Sequence, residues 1–307
     1  MPIQYEEAWK RGGLPFLGSY GDLLFEKAAN DTIAEFARQK IRSIVKDPAT
    51  ADLLCPQNVF GCKRLCVDTG YFETYNLPHV KLVDVSKTPI ECFTRSGIVV
   101  DGLEYKVDAI VSATGFAAMT GSFDRIKITG RNGWTLAEKW QAGPRAYLGI
   151  ASEGFPNLFM ITGPGSPSVL ASMIQAIEQH VDWLADCLGH MRDVGAATIE
   201  PTREDEDAWV EHVNDVSTVS LRSTCSSWYV GTNIPGRPRV FMPYIGGFPV
   251  YVQKCNEIMN GGYRGFVMDG AQGDGAPRIR FTGRWQVPLD IEVISPASVA
   301  AKRVPVV

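Results

Sequence analysis

The sequence lacks an apolar run long enough to cross a membrane, which takes about 20 consecutive apolar residues. Residues 1–7 (MPIQYEE) lack the apolar core of a secretory signal peptide. The net charge is −4, so the chain also lacks the strongly basic balance that a nucleic-acid-binding face requires. We therefore expect a cytoplasmic protein that binds neither membranes nor nucleic acids.

A regular cysteine framework is absent too. The 7 cysteines are odd in number and irregularly spaced, which favours reduced thiols over a set of disulfides. The spacing of Cys55, Cys62, Cys66 and His79 matches no standard zinc-binding pattern. We predict no metal site.

The chain also lacks an intact GxGxxG fingerprint for dinucleotide binding. Residues 163–168 (GPGSPS) are a degraded form of it, whose prolines remove N–H groups that would hold a phosphate. No acidic residue follows at the expected spacing after another strand. The loop still lies between a predicted strand and a long predicted helix, and in that arrangement a helix N-terminus can face a cofactor.

With 307 residues, the chain is long enough for two domains. Its first part predicts a loop over residues 12–18 and a helix over 21–46, which Asp47-Pro48 terminates. The pattern then changes to strands, with Asp101-Gly102 as a hairpin turn. The predicted strands lie at 80–85, 89–94, 97–100 and 103–106.

Two apolar runs, residues 107–113 and 157–161, predict buried strands of a parallel sheet. A long helix follows the second run and carries one apolar stripe. The stripe contains Val169, Leu170, Met173, Ile174, Ile177, Val181, Leu184 and Leu188. The remaining predicted elements are a short helix at 135–140, a helix at 203–220, strands around 239–244 and a helix at 250–260.

Lys63 and Arg64 form a basic pair ahead of an aromatic and polar turn. A lysine is a compact charge suited to one phosphate, whereas an arginine is a planar fork that stays charged beside a reacting oxygen. The pair therefore suits the entry of a nucleotide-binding unit. The alternative is an ordinary exposed basic pair, because charged side chains mostly lie on the surface.

Several segments, in this order, resemble the Baeyer–Villiger monooxygenases, class B flavoproteins of the phenylacetone and cyclohexanone monooxygenase type. The resemblance covers roughly residues 5–268. Its segments are KRLCVDTGYFETYN within 62–76, IVSATGF at 110–116, PRAYLG at 144–149, FPNLFMITGPGSPS at 155–168, IEQHVDW at 177–183 and WYVGTNIPG at 228–236.

The resemblance implies an α/β fold with two dinucleotide-binding domains, and FAD and NADPH as cofactors. In this family the nicotinamide reduces the flavin, O₂ adds to it, and the peroxyflavin converts a ketone to an ester or lactone. The cofactor carries the oxidising chemistry, while the protein positions it and stabilises charge. The implied substrate is a small apolar ketone or a related compound.

The resemblance also implies roles for single residues. Lys63 corresponds to the lysine that meets the 2′-phosphate of NADPH, and Arg64 to the catalytic arginine beside the flavin. Trp228 corresponds to the tryptophan of a mobile loop over the nicotinamide. The remaining positions are the interdomain loop Thr114-Gly115, the flavin-lining Pro164 and Gly165, and the pocket walls Leu170 and Met173.

The departures from the family pattern are as informative as the matches. Both GxGxxG motifs, the FxGxxxHxxxW fingerprint and the acidic partner of the active-site arginine are absent. We therefore expect only the C-terminal part of the fold, without its N-terminal Rossmann units. The predicted parts are the rest of a helical insertion (1–70), the second half of the NADPH-binding domain (71–117), the second half of the FAD-binding domain (118–268) and a divergent, poorly ordered tail (269–307).

Three functions remain open on the sequence. The first is a Baeyer–Villiger-type monooxygenase whose chain is inactive alone. The second is a non-enzymatic remnant or the partner-binding half of a split enzyme, because the missing half would leave an open sheet edge and exposed apolar surface. The third is a flavin monooxygenase that oxidises sulfides or amines.

Overall fold

The computed structural model describes residues 2–270. It contains two compact units, Met1–Phe116 and Ala117–Val307, and we describe each by itself. Most of the predicted tail at 269–307 lies outside the described residues. Within the described range no helix is both long enough and apolar enough to cross a membrane.

The first unit begins with helices that pack around aromatic side chains. The helices are α1 (Pro2–Arg11), α2 (Leu14–Leu17), α3 (Lys27–Ile44), α4 (Pro48–Leu54) and α5 (Tyr71–Thr74). Ile33 and Ala37 of α3 pack with Tyr5 and Phe16 in one buried cluster. The loop predicted over residues 12–18 is wrong in part, because α2 forms within it.

The predicted helix at 21–46 is confirmed as α3, although it begins later, at Lys27. Its predicted end at Asp47-Pro48 is also confirmed. The Asp47 carboxylate accepts a hydrogen bond from the Thr50 N–H at 2.8 Å, and Pro48 opens α4. An aspartate cap followed by a proline suits the first turn of a helix, so these two residues separate α3 from α4.

The predicted hairpin is confirmed as part of a three-stranded antiparallel sheet. Its strands are β1 (Ile90–Phe93), β2 (Gly97–Val100) and β3 (Leu103–Lys106). Asp101 and Gly102 have φ angles of 53° and 67°, the left-handed backbone that a tight two-residue hairpin turn requires. Val100 therefore pairs with Leu103.

The two predicted buried strands are wrong. Residues 107–113 form no strand and are exposed, with Val111 at 88%. Residues 157–161 are irregular, as are 80–85 and 239–244. An apolar run becomes a buried strand only when neighbouring strands complete its backbone hydrogen bonds. Among the described residues these runs make only single backbone hydrogen bonds, such as the Met160 N–H to the Ile150 carbonyl at 2.7 Å, and no continuous strand pairing.

The second unit packs three helices around one core. The helices are α7 (Met173–Val194), α8 (Arg203–Thr218) and α9 (Phe248–Asn260), preceded by the short α6 (Leu136–Lys139). Trp183 of α7, Trp209 and Val213 of α8, and Tyr251 of α9 share the buried cluster. The predictions of all four helices are confirmed, with α7 beginning at Met173 after a 3₁₀ turn over Ser168–Leu170.

An unpredicted antiparallel pair closes this unit. Strand β4 (Thr198–Pro201) pairs with β5 (Phe266–Asp269). Phe266 and Met268 pack against the core cluster. Asp269, the first residue of the predicted tail at 269–307, is the last residue of β5.

Glu206 is a buried carboxylate on the inner face of α8, with 1% exposure. It accepts hydrogen bonds from the Ser152 hydroxyl at 2.9 Å and the Glu153 N–H at 3.0 Å. The Lys139 ammonium lies 2.8 Å from its other oxygen. Because burying an unpaired charge is costly, these partners allow Glu206 to join α8 to α6 and to the loop at 152–153.

We predict that Glu206→Ala lowers the free energy of unfolding by about 3 kcal/mol, since it breaks the buried ion pair with Lys139 and leaves the Glu153 N–H without its acceptor. Urea denaturation of the full chain, followed by tryptophan fluorescence, checks this. Glu204→Ala is the matched control, because Glu204 is exposed on the same helix. Equal unfolding midpoints for the two variants would contradict the prediction.

Candidate functional site

The basic pair lies in the first unit, on an irregular segment directly after the buried Cys62. Lys63 and Arg64 are both exposed. Further along, the Asp68 carboxylate accepts a hydrogen bond from the Tyr71 N–H at 2.6 Å and starts α5. The local structure therefore fixes the residues on either side of the pair and leaves its two cations at the surface.

Thr114 and Gly115 lie in the same unit, on the exposed irregular run that ends at Phe116. Gly115 has a φ angle of 86°. The boundary between the two units comes directly after this run. Their predicted interdomain role stays a prediction, as does our assignment of cofactor-domain halves to the two units.

The loop at 163–168 is fixed by backbone hydrogen bonds to other parts of the second unit. The Gly163 N–H donates to the Gly149 carbonyl at 3.0 Å, the Gly165 N–H donates to the Met242 carbonyl at 2.7 Å, and the Ser166 carbonyl accepts from the Tyr244 N–H at 2.7 Å. These N–H groups are already used within the protein. The loop is therefore a rigid wall and not a phosphate cradle.

Gly165 lies in this loop at a position that requires glycine. Its φ angle is +88°, and an added Cβ would lie 3.1 Å from the Trp209 Nε1 atom. That indole N–H donates to the Gly165 carbonyl at 3.1 Å. Pro164 beside it is buried.

The structure brings Leu170 and Trp228 together. Both pack against the buried cluster of Tyr229, Val230 and Phe241, so a predicted pocket wall and the predicted cofactor loop share one apolar patch. Met173 is separate from this cluster and partly exposed at the start of α7. Its sulfur lies 3.9 Å from the Ser168 hydroxyl.

Arg237 was missed at the sequence level. It follows the Trp228 loop and donates hydrogen bonds to the Thr120 hydroxyl and the Asp124 carboxylate. These three residues line a cavity of about 260 Å³. Because the ion pair joins the end of the loop to residues 120–124, it fixes the loop that carries Trp228.

His180 was part of the quoted segment at 177–183, but no role was assigned to it. It is fully buried. Its Nδ1 accepts a hydrogen bond from the Thr162 N–H at 3.0 Å, and its Nε2 lies 2.7 Å from the Tyr251 hydroxyl. That hydroxyl donates to the Leu148 carbonyl at 2.6 Å, so the network requires a neutral imidazole with its proton on Nε2.

A cavity of about 1010 Å³ lies elsewhere in the second unit. None of the predicted site residues lines it. Arg131, Lys139 and Arg145 in its wall each pair with a carboxylate. Residues 2–270 also contain no group of three or more histidine, cysteine or acidic side chains that is arranged to hold a metal.

The missed residues differ in the signal they carry in the sequence. Glu206 lies three residues before Trp209 and seven before Val213, so helical spacing places it on the predicted inner face. A carboxylate in that row is a detectable signal. The contact between Arg237 and Asp124 joins loops far apart in the chain, and no local pattern reports it.

We predict that acid destabilises the chain through His180. Burial lowers the pKa of His180 from 6.5 to about 4, so the unfolded chain binds a proton that the folded chain resists. The free energy of unfolding therefore falls by about 1.4 kcal/mol per pH unit between pH 6.5 and 4. Urea denaturation across this range checks the slope.

His180→Gln removes this titration and is expected to flatten the slope. His79→Gln is the control, because His79 is exposed. The pKa of the half-buried His212 is also lowered by burial, so a smaller acid dependence of the same sign remains. An unchanged slope in His180→Gln would rule out this explanation.

We predict that Arg237→Gln frees the Trp228 loop. Loss of about 1 kcal/mol from a partly buried ion pair speeds amide exchange about fivefold. Hydrogen–deuterium exchange of residues 226–236 measures this, with Asp124→Asn expected to give the same increase. Arg125→Gln is the matched control on the neighbouring exposed residue. Identical exchange in Arg237→Gln and wild type would disprove the loop contact.

The chain is similar to several flavin monooxygenases. It is 39% identical over 267 residues to a phenazine N-monooxygenase of Lysobacter antibioticus, covering 86% of this chain and 49% of that protein. It is 37% identical over 268 residues to a Baeyer–Villiger monooxygenase of Pseudooceanicola batsensis, covering 86% and 49%. No protein-family profile matches the chain.

Comparison with solved structures gives the same similarity to monooxygenases. The solved structure of an oxidised steroid monooxygenase bound to NADP superposes with a TM-score of 0.80 at 49% identity, covering 88% of this chain and 51% of that one. The chain spans about half the length of the curated relatives it matches. By sequence and by fold, the chain is similar to the C-terminal part of Baeyer–Villiger monooxygenases.

Proposed function

We propose that this chain supplies the C-terminal part of an FAD- and NADPH-dependent Baeyer–Villiger monooxygenase that converts an apolar ketone and O₂ to an ester or lactone. The observation that carries the proposal is the match to these monooxygenases over 86% of the chain. When bound, the flavin supplies the oxidising chemistry. The residues of this chain bind, orient and shield the reactants.

The first unit fits the nicotinamide cofactor by charge. Lys63 is an exposed cation and would meet the 2′-phosphate, for which a compact ammonium is suited. Arg64 is also exposed and would stabilise negative charge that develops on the reacting oxygen, through charge-assisted N–H donors. Thr114-Gly115 would join the two cofactor domains.

The second unit is better suited to contact the flavin ring and the substrate than to bind the phosphates of FAD. The N–H groups of Gly163 and Gly165 are taken up by carbonyls of the protein, so the loop would support the ring with Pro164 and Gly165. Leu170 and Trp228 share an apolar cluster and would wall the pocket together with Met173. Apolar walls of this kind exclude water and bind an apolar substrate.

A second candidate function is oxidation of an amine nitrogen. The observation that favours it is the 39% identity to a phenazine N-monooxygenase. The cofactors and the charge-stabilising role of Arg64 would be the same. The two functions differ in which substrate atom receives oxygen and in the direction of electron flow, because a carbonyl carbon accepts an electron pair whereas a nitrogen donates one.

We predict that the chain alone retains no FAD, because the described residues offer no phosphate cradle at 163–168. The chain is mixed with FAD, passed through gel filtration and examined for flavin absorbance and NADPH oxidation. Its covalent fusion to the N-terminal half of the steroid monooxygenase is expected to retain FAD and to oxidise NADPH when a ketone is present.

Within this fusion, Arg64→Ala is expected to lower kcat about 10²–10³-fold, as for loss of one oxyanion donor. Lys63→Ala is expected to raise KM for NADPH about tenfold while leaving KM for NADH unchanged, since only NADPH carries the 2′-phosphate. Arg95→Ala, an exposed arginine of the same unit, is the control. A fusion that binds both cofactors but oxygenates neither ketones nor amines would refute the proposed function.

A further inference from the structure

Helix α7 has an unusual division of its surface. One row of side chains is buried in the core of the second unit: Ala176, Gln179, His180, Trp183, Cys187 and Met191. At about 100° of rotation per residue, a second row lies about 110° around the helix axis. This uncovered row consists of Met173, Ile174, Ile177, Val181 and Leu188, all exposed.

A third row of α7 is acidic and less exposed than the uncovered row. Glu178, Asp182 and Asp186 follow one another at four-residue spacing, about 130° beyond the uncovered row. A surface helix usually has one apolar stripe and one polar face. In α7 the acidic row is half-buried, and the apolar uncovered row is the most exposed side of the helix. An exposed row of large apolar side chains marks a contact surface.

The uncovered row is too small to hold two copies of this chain together. It runs over 15 residue steps of an α-helix, so its area is on the order of 200 Å². A stable dimer buries about 800 Å² on each partner. The row therefore suits one part of a larger interface with an apolar partner surface.

The relatives indicate what covers it. The chain spans 49% of the phenazine N-monooxygenase and 51% of the steroid monooxygenase chain, so each carries about as much polypeptide again. We propose that the uncovered row of α7 is the docking surface for the N-terminal half of the monooxygenase fold. This inference rests on the proposed function, and it identifies the surface through which the two halves associate.

The test uses the full 307-residue chain, tagged and co-expressed with the untagged N-terminal half of the steroid monooxygenase. Wild-type chain is expected to capture the N-terminal half on affinity resin. Ile174→Lys and Val181→Lys are expected to reduce capture at least tenfold, because each places a charge in the apolar contact. Ile174→Leu is expected to capture as well as wild type, because it keeps an apolar side chain at this position.

Ile126→Lys is the matched control, since Ile126 is 61% exposed and Ile174 is 71% exposed, both in the second unit. It is expected to capture as well as wild type. Circular dichroism and thermal unfolding of the isolated variants are expected to match wild type, because both isoleucines face solvent. A drop in capture with unchanged folding then reports the docking contact itself.

Two results would overturn the inference and leave the proposed function intact. One is equal capture by Ile174→Lys and Ile126→Lys. The other is a wild-type chain that captures nothing, whether it stays monomeric or forms a homodimer that Ile174→Lys dissociates in light scattering. The covalent fusion tests the proposed function separately, because its activity does not depend on capture in trans.

Discussion

The second unit depends on the backbone hydrogen bonds of the loop at 163–168. Gly149, Met242 and Tyr244 contribute backbone groups to it from two distant parts of the chain, and Trp209 reaches it from α8. The described part of this unit has only one pair of short strands. Hydrogen bonds between loops therefore connect the segments of this unit, a role that a parallel sheet has in a doubly wound fold.

The helices and the hairpin were predictable because their signals are local. Asp47-Pro48 and Asp101-Gly102 fix the backbone at their own positions. The strands predicted at 107–113 and 157–161 were wrong, since a strand depends on neighbouring strands that a local pattern does not report. The pair β4–β5 was missed for the same reason, because its strands are far apart in the sequence.

The candidate site was predictable to a similar extent. Residue types and order gave the basic pair, the glycine loop and Trp228, and the structure places Leu170 beside Trp228. The supporting contacts of Arg237 and His180 were not predictable, because each joins segments that only the fold brings together. A motif therefore nominates candidate ligand-binding residues, whereas the contacts that hold those residues in place depend on the fold.

The exposed run at 107–116 bears on how long such a chain survives in a cell. Its β-branched and aromatic side chains, Val107, Ile110, Val111 and Phe116, are open to solvent, and no described strand takes up its backbone. Such a segment adds readily to a second copy as a strand and is a substrate for chaperones and proteases. Exposure of this run therefore favours aggregation and proteolysis of the chain.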